Sequence, residues 1–112
     1  MPSVIYETLI DNATALPPGG RIDSKVIDVR GAERVSVNVS ITNVDANVQR
    51  TIYFGPTTNN AVAPLRTDSF GNSNHLLTSV PVCGPELYVV VENHGTQQWT
   101  CDGTVYALRQ IP

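Results

Sequence analysis

The side chains best equipped for covalent or metal chemistry are Cys83, Cys101, His75 and His94. Transition metals collect thiolates and imidazoles at short spacings such as Cys-x-x-Cys or His-x-x-x-His, because neighbouring ligands must converge on one ion. None of the four stands at such a spacing, and both histidines lie in stretches rich in Asn and Gly. Exposed loop histidines and no metal are expected. A serine nucleophile calls for a Gly-x-Ser-x-Gly elbow, which the chain lacks. Gly19-Gly20 has neither the Gly-Lys-Ser/Thr nor the helix that makes a phosphate loop. Calcium takes about six to eight oxygens. Asp23 with Asp28, or Asp45 with Asn47, offers a few, although Asp-x-Asn is also ordinary turn chemistry. Neither an enzyme nor a cofactor is expected.

Two surfaces suit binding better. Trp99 lies in the polar stretch Gly95-Thr96-Gln97-Gln98-Trp99-Thr100, next to Asp102 and shortly after Asn93 and His94. An exposed indole stacks on a sugar ring while amides and carboxylates take its hydroxyls. Trp99, Asn93, His94, Gln98 and Asp102 therefore form the candidate glycan site. Asn59-Asn60 and Asn72-Ser73-Asn74-His75 offer similar groups elsewhere. The same tryptophan equally suits the end of a core or a subunit interface, where Trp and Tyr are enriched.

The second surface is built from Ser36, Asn38, Ser40 and Thr42, short and uncharged. A face meant only for water usually carries Lys and Glu, which also guard sheets against pairing. Lys occurs once in this chain, and Lys is depleted at interfaces. These four residues, with Tyr53 at an edge, are the candidate contacts of a homo-oligomer.

The element that positions them is Arg34 to Asn43. Val35, Val37, Val39 and Ile41 alternate with the four polar residues, a period of two that places each set on its own face of a strand. One dry and one wet face favour an antiparallel sheet. Further strands are expected over Val4–Ile10, Ile22–Val29, Thr51–Phe54, Leu65–Phe70, Leu76–Val82, Leu87–Glu92 and Thr104–Gln110. Pro17-Pro18-Gly19-Gly20, Gly55-Pro56, Gly84-Pro85 and Asp102-Gly103 punctuate them. Leu87–Glu92 is apolar on both faces, which suits a strand covered on both sides. Seven or eight strands without a helical period predict an all-β, antiparallel β-sandwich, jelly-roll-like, in one domain spanning 1–112. An immunoglobulin sandwich is the other topology with such strands, but the 18 residues from Cys83 to Cys101 are too few for its cysteine pair.

A hairpin of the last two strands would keep Cys83 and Cys101 apart, since a disulfide needs Cα atoms within roughly 7 Å. A last strand beginning at Gln97 would bring Cys101 opposite Tyr88 and make a bridge conceivable. Free thiols, a bridge within the chain and a bridge between chains all stay open, with free thiols the simplest.

Composition narrows the partners. The 112 residues are 41% hydrophobic and 15% charged, with a net charge of −3 and a pI near 5.1. Seven basic residues scattered among ten acidic ones supply no footprint for nucleic acid. No apolar run approaches the roughly 20 residues that span a bilayer, so no membrane insertion is expected. The start, Met1-Pro2-Ser3-Val4, lacks the basic and apolar regions of a signal peptide; synthesis in the cytoplasm, a signal already removed, and exit by another route such as lysis are the three readings open.

Three stretches carry a resemblance. Val26-Ile27-Asp28-Val29-Arg30-Gly31 precedes the alternating Arg34-Val35-Ser36-Val37. Gly84-Pro85 opens Glu86-Leu87-Tyr88-Val89-Val90-Val91-Glu92-Asn93-His94-Gly95, and the chain closes on Gly103-Thr104-Val105-Tyr106-Ala107-Leu108-Arg109. Together these resemble the small β-sandwich proteins of tailed-phage virions and of bacterial surface or spore-coat layers. The resemblance implies a non-catalytic structural or host-contact module, often trimeric, on a virion or extracellular surface. Release by lysis would then account for the missing signal.

Overall fold

A computed structural model describes residues 2–55 and 63–110, so Asn59-Asn60 lies outside the described residues. Nine strands follow in chain order: β1 (Pro2–Leu16), β2 (Arg21–Asp23), β3 (Ile27–Asp28), β4 (Ala32–Ile41), β5 (Val48–Gly55), β6 (Ala63–Ser69), β7 (His75–Pro81), β8 (Glu86–Asn93) and β9 (Trp99–Gln110). All pairings are antiparallel. One sheet runs β1-β9-β4-β7; the other runs β2-β8-β5-β6, with β3 also on β8. With the two-residue β3 set aside, the chain crosses between the sheets at every connection except the β5–β6 hairpin, which gives the jelly-roll order. The β-sandwich expected from the alternation is the observed fold.

Its core is made by the inward positions of both sheets. Val35, Val37, Val39 and Ile41 of β4 are buried, facing Leu87, Val89 and Val91 of β8 and Ile52 and Phe54 of β5. Burying such a side chain stabilises the fold by roughly 1.5–3 kcal/mol, so the valine stripe alone commits β4 to the centre of its sheet. On β8, Val90 is buried on the outward side as well, between its partners Asp23 and Thr51.

Four elements depart from the sequence-based expectation, the last strand first: β9 begins at Trp99, not Thr104, and runs through Asp102-Gly103 as paired strand where a turn is expected. The first strand does not stop at Ile10; it continues to Leu16 through irregular pairing between Thr8 and Thr14, because Leu16 is an inward, fully buried anchor opposite Trp99. The strand expected over Ile22–Val29 is two short ones. At Ser24 the hydroxyl takes the Val89 N–H (2.8 Å), and Lys25 N–H turns to Leu9 O on β1 (2.9 Å), so the ladder is interrupted. Finally, β8 and β9 are not a hairpin. They belong to different sheets, and Cys101 pairs with Ile41 and Thr14 rather than with Tyr88. Both thiols are free, with Cys83 exposed and Cys101 buried. Burial pushes the Cys101 thiol up to about 12, so it stays protonated and unreactive at neutral pH.

One polar element crosses the dry interior. Arg50 lies on the inward side of β5 and its side chain is 0% exposed. It donates to Asp68 on β6 and to Thr78 Oγ1 on β7 (2.9 Å), thereby tying the two sheets at their β6/β7 side. Arg66 also grips Asp68 (2.8 and 3.0 Å). Arg50 Nε is left without a partner among the described residues, and desolvation pulls the Arg50 pKa down while Asp68 opposes it.

Candidate assembly surface

The outward positions of the β1-β9-β4-β7 sheet fall into rows fixed by register. Tyr6, Tyr106, Ser36 and Ser79 form one; Thr8, Thr104, Asn38 and Leu77 the next; Asp102, Ser40 and His75 the third. Val4 and Leu108 pair beyond the first row. Ser36, Asn38 and Ser40 are half-buried between neighbours, and Thr42 is exposed just past the strand end. The four residues singled out in the sequence therefore share one face. Tyr53 does not: it points outward from β5 in the other sheet and stacks on Tyr88 at 4.9 Å and 6°.

The alternation of β4 could not reveal what flanks it. Val4, Tyr6, Leu77, Tyr106 and Leu108 are all exposed on this face, Tyr6 at 69% and Leu77 at 73%, and they are five of the eight large apolar side chains exposed among the described residues. Tyr6 and Tyr106 meet edge to face, with centroids 6.4 Å apart. An open hollow of about 420 Å³ runs beside them, lined by Glu33, Arg34, Ser36, Tyr106 and Leu108 among others. The signal for Tyr106 and Leu108 was present in Thr104–Leu108, where both phases of the strand are apolar. Choosing the outward phase requires knowing that β9 sits between β1 and β4.

Charge on this face is confined to its ends. Arg34 bonds Ser79 (Nε to Oγ 3.2 Å, guanidinium to carbonyl 3.1 Å) at one end. Asp102 and His75 flank Ser40 at the other, about 20 Å along the strand. Ser40 Oγ lies 2.7 Å from His75 Nδ1. Asp102 sits on the opposite flank of Ser40, so among the described residues no carboxylate is seen to orient the imidazole from behind as a nucleophilic triad requires. Thr42 Oγ1 and Thr100 Oγ1 are 2.6 Å apart and close off the end.

The candidate glycan residues are distributed differently. Trp99 faces inward, half-buried against the core, and its indole N–H donates to Asp45 Oδ2 (2.7 Å). That bond, followed by the Asn47 N–H, holds the Asp45 carboxyl below the usual range. The Asp45–Asn47 turn thus clamps Trp99. Asn93 is 1% exposed; its amide donates to Leu16 O (3.2 Å) and Gln97 O (2.8 Å), while its Oδ1 accepts from Gly95 N–H (2.9 Å). A Cβ at Gly95 would stand 3.0 Å from Asp45 Oδ2, so a larger residue there would press on the clamp. His94 and Gln98 are exposed. Asp102 lies three residues from Trp99 on an alternating strand, hence on the opposite face of the sheet. These five residues share no surface. Among the described residues, no three His, Cys, Asp or Glu side chains gather as a metal site would require.

No family model and no curated protein matches the chain. Solved structures do. The infectious bursal disease virus Gx strain structure aligns at TM-score 0.55 and 12% identity, and the VP2 subviral particle of that virus at 0.54 and 16%. Each covers 96–97% of this chain, and the chain spans about a third (32–33%) of the virus protein. The Yersinia pseudotuberculosis-derived mitogen aligns at 0.54 and 11% identity, covering 100% of this chain and 90% of its own. At these identities the likeness is one of fold.

Proposed function

We propose that the chain is a non-enzymatic structural module of a virion or surface layer, which assembles with copies of itself through the outer face of the β1-β9-β4-β7 sheet. The observation that carries this is the concentration of exposed Val4, Tyr6, Leu77, Tyr106 and Leu108 around an uncharged strip of Ser36, Asn38 and Ser40. Contiguous exposed apolar patches of this kind mark interaction sites. Four strands about 4.8 Å apart and about ten residues at 3.3 Å give a face of roughly 600 Å² in projection. Side-chain relief raises that toward the roughly 800 Å² per partner of a stable interface. Arg34 at one end and Asp102 at the other make the face complementary to a reversed copy of itself. The fold likeness to a virus-particle protein fits a building role, while a contact with a reversed copy closes as a two-fold pair and not as the trimer that the phage and surface-layer resemblance implies.

The glycan alternative rests on an exposed Trp99, and the indole is instead held against the core by Asp45. The test is native mass by light scattering after size exclusion, with and without reductant. A closed oligomer that survives dilution and reductant, and that falls apart in Ser36→Lys or Tyr106→Lys, is expected. A wild-type monomer at high concentration, or an oligomer indifferent to both substitutions, would overturn the proposal.

A further inference from the structure

The two sheets have four free edges, and three of them are blunted. The β1 edge pairs regularly over Pro2–Thr8 but carries Glu7 and opens on a proline; beyond Thr8 it is broken by irregular pairing and a left-handed Ala13 (φ 60°), and Lys25 N–H already occupies Leu9 O. The β2/β3 edge consists of pieces of three and two residues. The β6 edge carries Arg66 and Asp68 and a register shift against β5. Bulges, charges and brevity are the ordinary defences of an edge strand. The β7 edge, His75-Leu76-Leu77-Thr78-Ser79-Val80-Pro81, has no Lys, Arg, Asp or Glu, and pairs with β4 over its whole length without a shift.

The direction of its backbone follows from two bonds. Val82 N–H donates to Glu33 O (2.8 Å) and Ile41 N–H to Asn74 O (3.0 Å). Residues of an antiparallel ladder alternate between bonded and non-bonded pairs, so Asn74, Leu76, Thr78, Val80 and Val82 address β4. His75, Leu77 and Ser79 therefore present their N–H and C=O groups away from the sheet. Ser73 Oγ takes both groups of His75 (2.9 and 3.1 Å), and Arg34 donates to Ser79 O. Among the described residues, the Leu77 N–H and C=O and the Ser79 N–H have no partner. At the same point Leu77 puts forward the most exposed apolar side chain of the described residues, at 73%.

We infer that β7 is a second assembly surface, on which the β7 strand of another copy pairs antiparallel about a two-fold axis through Leu77. This rests on the assembly reading but uses an edge, not the face. In that register Leu77 opposes its own copy, and His75 opposes Ser79 in both directions. These three pairs exchange about six backbone bonds, of which about four leave every existing bond in place because a carbonyl accepts twice. The occupant is a second copy and not an unrelated peptide because the outward-facing positions His75, Leu77 and Ser79 are symmetric about Leu77, so the free Ser79 N–H of each copy meets the His75 carbonyl of the other, and because the strand brings no Lys, Arg, Asp or Glu to repel its twin. Pairing would join two four-stranded sheets into one of eight. The Tyr6/Tyr106 faces of both copies would then form a single doubled surface, so that edge and face contacts together build assemblies larger than a dimer.

Leu77→Pro tests the edge directly. It deletes an outward N–H while sparing the ladder to β4, a position where proline is tolerated. It should halve the native mass while far-ultraviolet circular dichroism stays that of a β protein. A second variant serves if that one fails to fold. Hydrogen-bonded antiparallel partners have Cα atoms about 5.5 Å apart, within disulfide reach. Leu77→Cys in a Cys83→Ser background should thus cross-link under mild oxidant at least tenfold faster than Leu65→Cys, which sits on β6. An unchanged mass in Leu77→Pro, or cross-linking no faster than Leu65→Cys, overturns the edge pairing. A mass that falls only in Tyr106→Lys leaves the face contact standing alone, and a monomeric wild type sinks both.

Discussion

The outer faces of the two sheets carry the same kinds of residue and use them in opposite ways. On the β2-β8-β5-β6 sheet, Tyr53 and Tyr88 stack on each other and are half-buried, Thr51 and Thr67 bond to each other at 2.9 Å, and Arg21 pairs with Asp23. Glu86 and Glu92 complete a charged surface fit for water. On the β1-β9-β4-β7 sheet, Tyr6 and Tyr106 touch only edge to face and remain exposed, the centre is uncharged, and Leu77 stands alone. An aromatic satisfied within its own chain has little to offer a partner. The difference between the faces therefore lies in which aromatic groups are already engaged, more than in how many there are.

The two faces can act separately only while the sandwich holds, and its most sensitive joint is Arg50. Asp68→Ala leaves a fully buried guanidinium without its carboxylate, and breaking a buried pair in this way costs about 3–5 kcal/mol. Arg50→Met removes the charge itself, and Asp68 keeps Arg66 as partner; its cost should stay under about 1.5 kcal/mol, since replacing a buried ion by a similar apolar volume is often neutral. Urea unfolding of both variants checks the asymmetry. Equal losses would mean that the ion pair, not the buried charge, sets the energy.

The faces themselves are separated by a matched pair of truncations. Tyr106→Ala should weaken self-association by about 2 kcal/mol, roughly thirtyfold, as a central aromatic contact does. Tyr53→Ala should leave association unchanged and lower stability by about 1 kcal/mol beyond lost area through the broken stack. Sedimentation equilibrium and thermal melts read the two effects. The reverse result would move the assembly surface to the other sheet.

Much of this was legible in the sequence, for physical reasons that also mark where legibility ends. The Val35–Ile41 alternation specifies a strand, its inner face and its wet face, because a period of two has one consequence. The regular turn signals specify a sandwich. What failed was local rescue: a hydroxyl at Ser24 standing in for a backbone group, and a left-handed Ala13 letting β1 run on to Leu16, leave no hydrophobic trace. Sequence places Tyr53 with Ser36, because aromatic content says nothing about which sheet a strand joins. Arg50 reads as an ordinary surface arginine between Gln49 and Thr51; only the pairing of β5 turns it inward. Asn93 and Trp99 look like ligand groups in sequence, since a buried clamp and an exposed platform use the same side chains.

A further expected effect concerns that clamp and sharpens the contrast between engaged and available aromatic groups. The Asp45 carboxyl is held below its ordinary value first by the Trp99 indole N–H, then by the Asn47 N–H. Its pKa is lower folded than unfolded, so the ionised form contributes stability above the unfolded value near 3.9. That contribution is lost as pH falls through the lowered folded value. Asp68, held down by Arg66 and then Arg50, adds in the same direction. Stability should therefore be flat from about pH 5 upward on account of these groups and fall below about pH 4. Trp99→Phe keeps the apolar body against the core and removes the largest cause of the Asp45 shift. It should cost about 1.5 kcal/mol at neutral pH, the lower end of the worth of a hydrogen bond to a charged group, and flatten part of the acid slope. A variant as stable as wild type at pH 7, with an unaltered slope, would mean that the indole is free to meet a ligand after all.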